Sequence, residues 1–183
     1  MSDTPSSSAA VAAFDALPDH EAAQFLESCC GALAWVQGML ARRPFGTLQR
    51  VLAIADDVWW SLGHDDWREA FDHHPRIGER AAAAAQGELA RGWSSDEQRA
   101  ATAASVDTRQ ALADANRDYE RRFGHIFLVC AMGKSAEEML ALLRERLTND
   151  SATELRVAAA EQAKITRLRL EKMFAASSTQ SHA

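Results

Sequence analysis

The chain has 183 residues, 47% hydrophobic and 25% charged, which is enough to bury one ordinary core and too few for two comfortable domains. Its net charge of -6 argues against a nucleic-acid partner, because polyanion binding needs a clustered positive surface and the basic residues here are spread among acids. No window approaches the ~18 apolar residues of a membrane span, and the three cysteines, two of them adjacent at Cys29 and Cys30, fit a reduced, cytoplasmic setting.

Four prolines and nine glycines are few for this length, and the runs between them are rich in Ala, Leu, Glu, Arg and Gln. Those residues lose least on entering a helix, so an all-α fold is expected, a single-domain bundle of about eight helices. The small, polar ends predict a disordered N-terminal extension over residues 1–13 and a disordered tail over 175–183, flanking a helical domain over 14–174.

Pro18 and Asp19 open a helix carrying Phe25, Leu26 and Cys29, and a second holds Trp35, Val36, Met39 and Leu40 before Pro44 stops it. Thr47 then caps a long helix with apolar residues at Leu48, Val51, Leu52, Ala55, Val58, Trp59 and Leu62, ended by Gly63. A short helical turn bearing Trp67 and Phe71 leads into His73-His74-Pro75-Arg76-Ile77-Gly78, where Pro75 disfavours helix at His74. His74 is therefore expected on an irregular, fixed segment.

The Ala81 to Ala85 run predicts another helix, broken at Gly92. From Ser94 or Ser95 the chain restarts and runs, bending near Asp107, through Leu112, Ala115, Tyr119 and Phe123 to Gly124. Ile126 to Met132 is apolar and partly β-branched, fitting either a strand or a buried extended loop. Ser135 with Glu138, and Ser151 with Glu154, carry capping-box spacing before the last two helices.

Histidines and acids at His64, Asp65, Asp66, His73 and His74 raise a metal site, but no pair has the i, i+4 spacing of a known zinc motif, so no metal is expected. A single imidazole on a rigid turn is instead suited to proton transfer, since its unperturbed pKa lies near neutrality; equally, His74 could merely bond a carbonyl inside the turn. The Ser94-Ser95-Asp96-Glu97-Gln98 run reads as a helix cap, and a helix N-terminus can also form the wall of an anion pocket. Gly133-Lys134-Ser135 lacks the preceding glycine pattern of a phosphate loop. Arg169, beside Leu168 in the apolar register, is expected to point partly inward, where a guanidinium needs an anionic partner.

Taken together, Cys29-Cys30-Gly31, Arg43-Pro44-Phe45, His74-Pro75-Arg76-Ile77-Gly78, Glu97-Gln98, Asn116, Tyr119, Phe123-Gly124, Arg146-Leu147, Asn149, Glu154-Leu155 and Arg169-Leu170 resemble the 2-oxo-4-hydroxy-4-carboxy-5-ureidoimidazoline (OHCU) decarboxylases of urate breakdown. The resemblance spans about Phe14 to Phe174. It implies an all-helical homodimer that converts a small ureide acid to (S)-allantoin and CO2 without a cofactor. By motif it implies His74 and Glu97 as catalytic residues, and Pro75, Ser94, Gln98, Phe123, Ile126 and Arg169 as substrate-binding residues, with Ser95 the alternative to Ser94. Two rival readings are a non-catalytic helical interaction module and a lyase or hydrolase acting on another ureide.

Overall fold

The computed structural model describes residues 5–76 and 105–176. Among them are eight helices: α1 Pro5–Asp15, α2 Asp19–Cys29, α3 Leu33–Leu40, α4 Leu48–Ser61, α5 His64–Asp72, α6 Val106–Phe123, α7 Ala136–Arg146 and α8 Ser151–Ala176. No strand occurs among the described residues, and the all-α expectation holds. The chain divides into two compact units, one formed from Met1–Trp67 with Ala163–Ala183 and the other from Arg68–Gln162.

In the first unit α2 packs on α3, and α3 and α1 pack on α4. Thr47 caps α4 as expected, its side chain accepting the Arg50 N–H at 3.2 Å, and Val51, Leu52, Ala55, Val58 and Trp59 form the buried face. The α3–α4 approach is close enough that a Cβ at Gly38 would stand 2.6 Å from Val58 Cγ1, so only glycine fits there without displacement. Trp35 is fully buried and donates its indole N–H to the Ala55 carbonyl at 3.1 Å, which satisfies the one polar atom of a large apolar side chain.

The chain start departs from expectation. Residues 5–15 form helix α1, with Ala10, Val11 and Phe14 buried. Phe14 meets Phe25, Phe45 and Phe174 at ring-centroid distances of 6.4, 6.2 and 5.5 Å. The carbonyls at and just past the end of α1 are gathered by one side chain: Arg43 Nη2 donates to Phe14 O at 2.9 Å, Asp15 O at 2.9 Å and Leu17 O at 2.6 Å, while Nη1 reaches Asp19 at 3.0 Å. Asp15 answers by accepting the N–H groups of Phe45 and Gly46. Arg43→Ala strands these acceptors together, and we expect a loss of about 3 kcal/mol, measured by urea unfolding. A change below about 0.5 kcal/mol would show that solvent replaces the clamp.

In the second unit α6 packs on α7 over a core of Leu112, Tyr119, Phe127, Val129, Met139 and Leu143. Within the described residues α6 starts at Val106, where Ser105 accepts the Thr108 N–H at 3.1 Å, and ends at Gly124, whose φ of 74° is the left-handed conformation that glycine adopts without cost. Ser135 and Glu138 form the expected capping box of α7. The box expected at Ser151 and Glu154 does not form: Asp150 accepts the N–H groups of Ala152 and Thr153 at 3.0 and 2.9 Å, and Glu154 is fully buried instead. Ile126 to Met132, which fits a strand or a buried loop by sequence, forms neither helix nor strand and enters a turn at Met132 and Gly133.

Candidate active site

Helix α5 ends as Pro75 approaches, because a residue before proline avoids the helical region. The last N–H groups close tight turns, His73 N to Ala70 O at 3.3 Å and His74 N to Phe71 O at 3.0 Å. The two imidazoles differ in setting: His73 is exposed and its Nδ1 donates to the Glu69 carbonyl at 2.9 Å, whereas His74 is half-buried.

Two contacts fix this turn against the end of α6, both inside the second unit. On one side of His74 the Phe71 ring lies 5.3 Å from the His125 ring. On the other, Arg76 pairs with Glu120 through both carboxylate oxygens, at 2.7 and 3.0 Å. His74 and Pro75 thus sit between two tethers to the stretch Glu120–His125, which contains Phe123. Phe123 is half-buried, its ring 4.7 Å from Tyr119 and 6.2 Å from His125. Ile126 is half-buried too, and its carbonyl accepts from His125 Nδ1 at 3.1 Å.

That last bond sets the His125 tautomer, because a carbonyl can only accept, so Nδ1 carries the proton. Burial pushes the His125 pKa below its usual 6.5, and the Arg146 and Arg68 charges push the same way, against the Ile126 bond and Glu154. His125 is therefore a neutral ring. The sign for stability follows: the unfolded chain binds the proton more readily, so stability is full above about pH 6.5 and falls as pH drops toward the depressed folded value. His125→Phe, among the Phe71, Tyr119 and Phe123 rings, is expected to flatten that decline. Unfolding temperatures of the two proteins between about pH 7.5 and pH 5 check it, and parallel curves would refute it.

Beneath the stretch lies a polar network built around Glu154, whose spacing predicts a helix cap and not a buried ion pair. Arg146, with a side chain 9% exposed, faces Glu154, which is 0% exposed. Arg146 donates to Glu154 Oε1 from Nε at 2.8 Å and Nη2 at 2.6 Å, to Tyr119 Oη at 3.2 Å and to Leu128 O at 2.8 Å. Tyr119 donates to the same Glu154 oxygen, and Asn149 donates to the other at 2.7 Å. Burial, together with the bond and charge of Glu154, raises the Tyr119 pKa, so the phenol stays a donor. The signal in the sequence was the pairing of Arg146, Asn149 and Glu154 at a helix junction, which looks like surface charge until the fold buries it.

Arg169 belongs to the first unit and is buried as expected, its Nη1 3.5 Å from the Ser28 carbonyl. Its charge partly offsets the burial that pushes the Cys29 thiol up to about 12. Ser94, Ser95, Glu97 and Gln98 lie outside the described residues. Among the described residues no helix is long and apolar enough to cross a membrane, and no cluster of three or more metal-ligating side chains gathers.

The family model for OHCU decarboxylase matches residues 15–171. The chain belongs to the OHCU decarboxylase family. Among curated relatives of the family, it is 38% identical over 147 residues to a uric acid degradation bifunctional protein of Arabidopsis thaliana, covering 80% of this chain and 45% of that one. It is 42% identical over 59 residues to a 2-oxo-4-hydroxy-4-carboxy-5-ureidoimidazoline decarboxylase of Amia calva, covering 32% of this chain and 34% of that one. The chain thus spans less than half the length of these curated relatives. A crystal structure of an OHCU decarboxylase in the presence of (S)-allantoin aligns at a TM-score of 0.72 with 35% identity, covering 87% of this chain and 99% of that one. An (S)-allantoin synthase structure at 17% identity, covering 89% of this chain and 53% of that one, shares the fold at a TM-score of 0.65.

Proposed function

We propose that this OHCU-decarboxylase-family chain converts 2-oxo-4-hydroxy-4-carboxy-5-ureidoimidazoline to (S)-allantoin and CO2, with His74 moving the proton. The observation that carries the reading is the family match across residues 15–171, a span that includes His74 and both of its tethers. The reaction explains why one placed imidazole suffices. Loss of CO2 leaves an electron pair on the former carboxylate-bearing carbon, and the adjacent ring and carbonyl delocalise it. The substrate is its own electron sink, so neither an organic cofactor nor a metal is needed. The protein must hold the scissile carboxylate out of the ring plane and deliver a proton to one face, which makes one enantiomer.

In this reading Glu97 holds ureido or ring N–H groups, Gln98 and Ser94 complete that bonding, Pro75, Phe123 and Ile126 line the cleft, and Arg169 attracts the anionic substrate. The protein acts as a cytoplasmic homodimer. The decisive assay generates the substrate freshly from urate and follows the optical activity of allantoin with and without the protein. A faster appearance of the (S) form, retained after dialysis against a strong chelator, is expected; a rate equal to the blank sinks the activity, and a loss restored by zinc sinks the cofactor-free chemistry. Sedimentation at assay concentration tests the dimer, and a monomer rejects it.

A further inference from the structure

We infer that Arg146, held by Glu154, Tyr119 and Asn149, is a positioning residue for the reaction, fixing the backbone that follows Phe123 by binding the Leu128 carbonyl; this rests on the activity proposed above. Residues 125–131 belong to no helix and no ladder, so their buried backbone groups must find side-chain partners. They do so at alternate residues. His125 meets the Ile126 carbonyl at 3.1 Å, Arg146 the Leu128 carbonyl at 2.8 Å, and Lys134 the Cys130 carbonyl at 2.8 Å, while Glu161 takes the Cys130 N–H at 2.8 Å. Arg146 is buried at the centre of this row, with His125 buried at its start and Lys134 and Glu161 half-buried at its end.

Stability alone does not account for such a group. A buried ion pair must recover the cost of removing two charges from water, and apolar replacements of equal volume often match or exceed it. What a guanidinium adds is direction, because its donors project from a rigid plane. Here that plane is set by three elements: Tyr119 of α6, Arg146 itself at the end of α7, and Glu154 in the first turn of α8. The Phe127 ring lies under it at 4.7 Å. The remaining donor points at Leu128, two residues past Ile126, in the stretch whose start is tied to the His74 turn through His125 and Phe71. A site that must present one face of a reacting carbon to a proton donor needs this stretch held in a single register.

The test is the double variant Arg146→Met with Glu154→Gln, which removes both charges together. Its unfolding temperature is expected to equal or exceed that of the parent. Its kcat is expected to fall on the order of a hundredfold with KM changed by less than about threefold, and its allantoin to lose optical purity. Unchanged kcat and optical purity in the folded double variant overturn the inference, as does a kcat loss explained wholly by the unfolded fraction. A parent protein that leaves the blank rate unchanged instead rejects the activity itself, which keeps the two failures apart.

Discussion

Replacing His74 with asparagine is expected to lower kcat/KM for (S)-allantoin formation by about 10²–10⁴-fold, the usual worth of one general acid or base. Asparagine retains a polar, planar side chain and sits as readily before Pro75, so the turn made by the His74 N–H and the Phe71 carbonyl should survive. The tethers do not involve the substituted ring: Phe71 meets His125, and Arg76 pairs with Glu120. The unfolding temperature should therefore stay where it was while turnover collapses. The measurement is optical activity of allantoin from freshly generated substrate. Full-rate production of the (S) form by the variant would remove His74 from the chemistry, and a matching fall in stability would make its part structural.

The largest stability effect is expected at Glu154→Ala. The substitution strands a guanidinium that is 9% exposed, leaves the Tyr119 hydroxyl without its carboxylate and takes the acceptor from Asn149. Breaking one side of a buried pair costs about 3–5 kcal/mol, much of the roughly 5–15 kcal/mol that holds a typical domain folded. At about 2–4 °C per kcal/mol for a chain of this size, the midpoint should drop by roughly 6–20 °C. Thermal unfolding followed by circular dichroism reads this directly. A drop under about 2 °C would mean that water enters and solvates Arg146, contrary to the dry surroundings of Phe127, Tyr119 and Leu128.

The contrast between Glu154 and Glu138 explains which features were legible from residues alone. Both stand three positions after a serine, and local spacing predicts a capping box for each. At Ser135 nothing competes and the box forms. At Ser151 an aspartate one residue earlier takes the N-terminal amides, and Arg146 draws the glutamate inward across the helix junction. Local rules hold where only neighbours in sequence compete, as at Thr47, Ser135 and Gly124, and yield where a charge from another helix offers more.

The same logic covers α1 and the extended stretch. The opening residues looked unable to pack because serine and alanine dominate them, yet Val11 and Phe14 recur on one face and are enough to bury it once Arg43 closes its end. Ile126 to Met132 is ambiguous by pattern because an apolar run reads alike as strand or loop, and the deciding partners are side chains on α7 and α8. For the candidate site, the proline after His74 indicated an irregular turn, and the buried state of Arg169 followed from its register. The roles came from resemblance: no spacing rule links His74 to Phe123, because their tie runs through Phe71, His125, Arg76 and Glu120 in three dimensions.

The contrast among the three cysteines has a practical consequence. Burial pushes the Cys29 pKa up to about 12, which keeps it a thiol at neutral pH, and Cys30 beside it is equally enclosed. Electrophiles and mild oxidants therefore meet Cys130 first, which is half-buried and has its N–H on Glu161. A fluorophore attached to that sulfur would sit two residues past the carbonyl that Arg146 binds, converting the native chain into a reporter of how firmly that backbone is held.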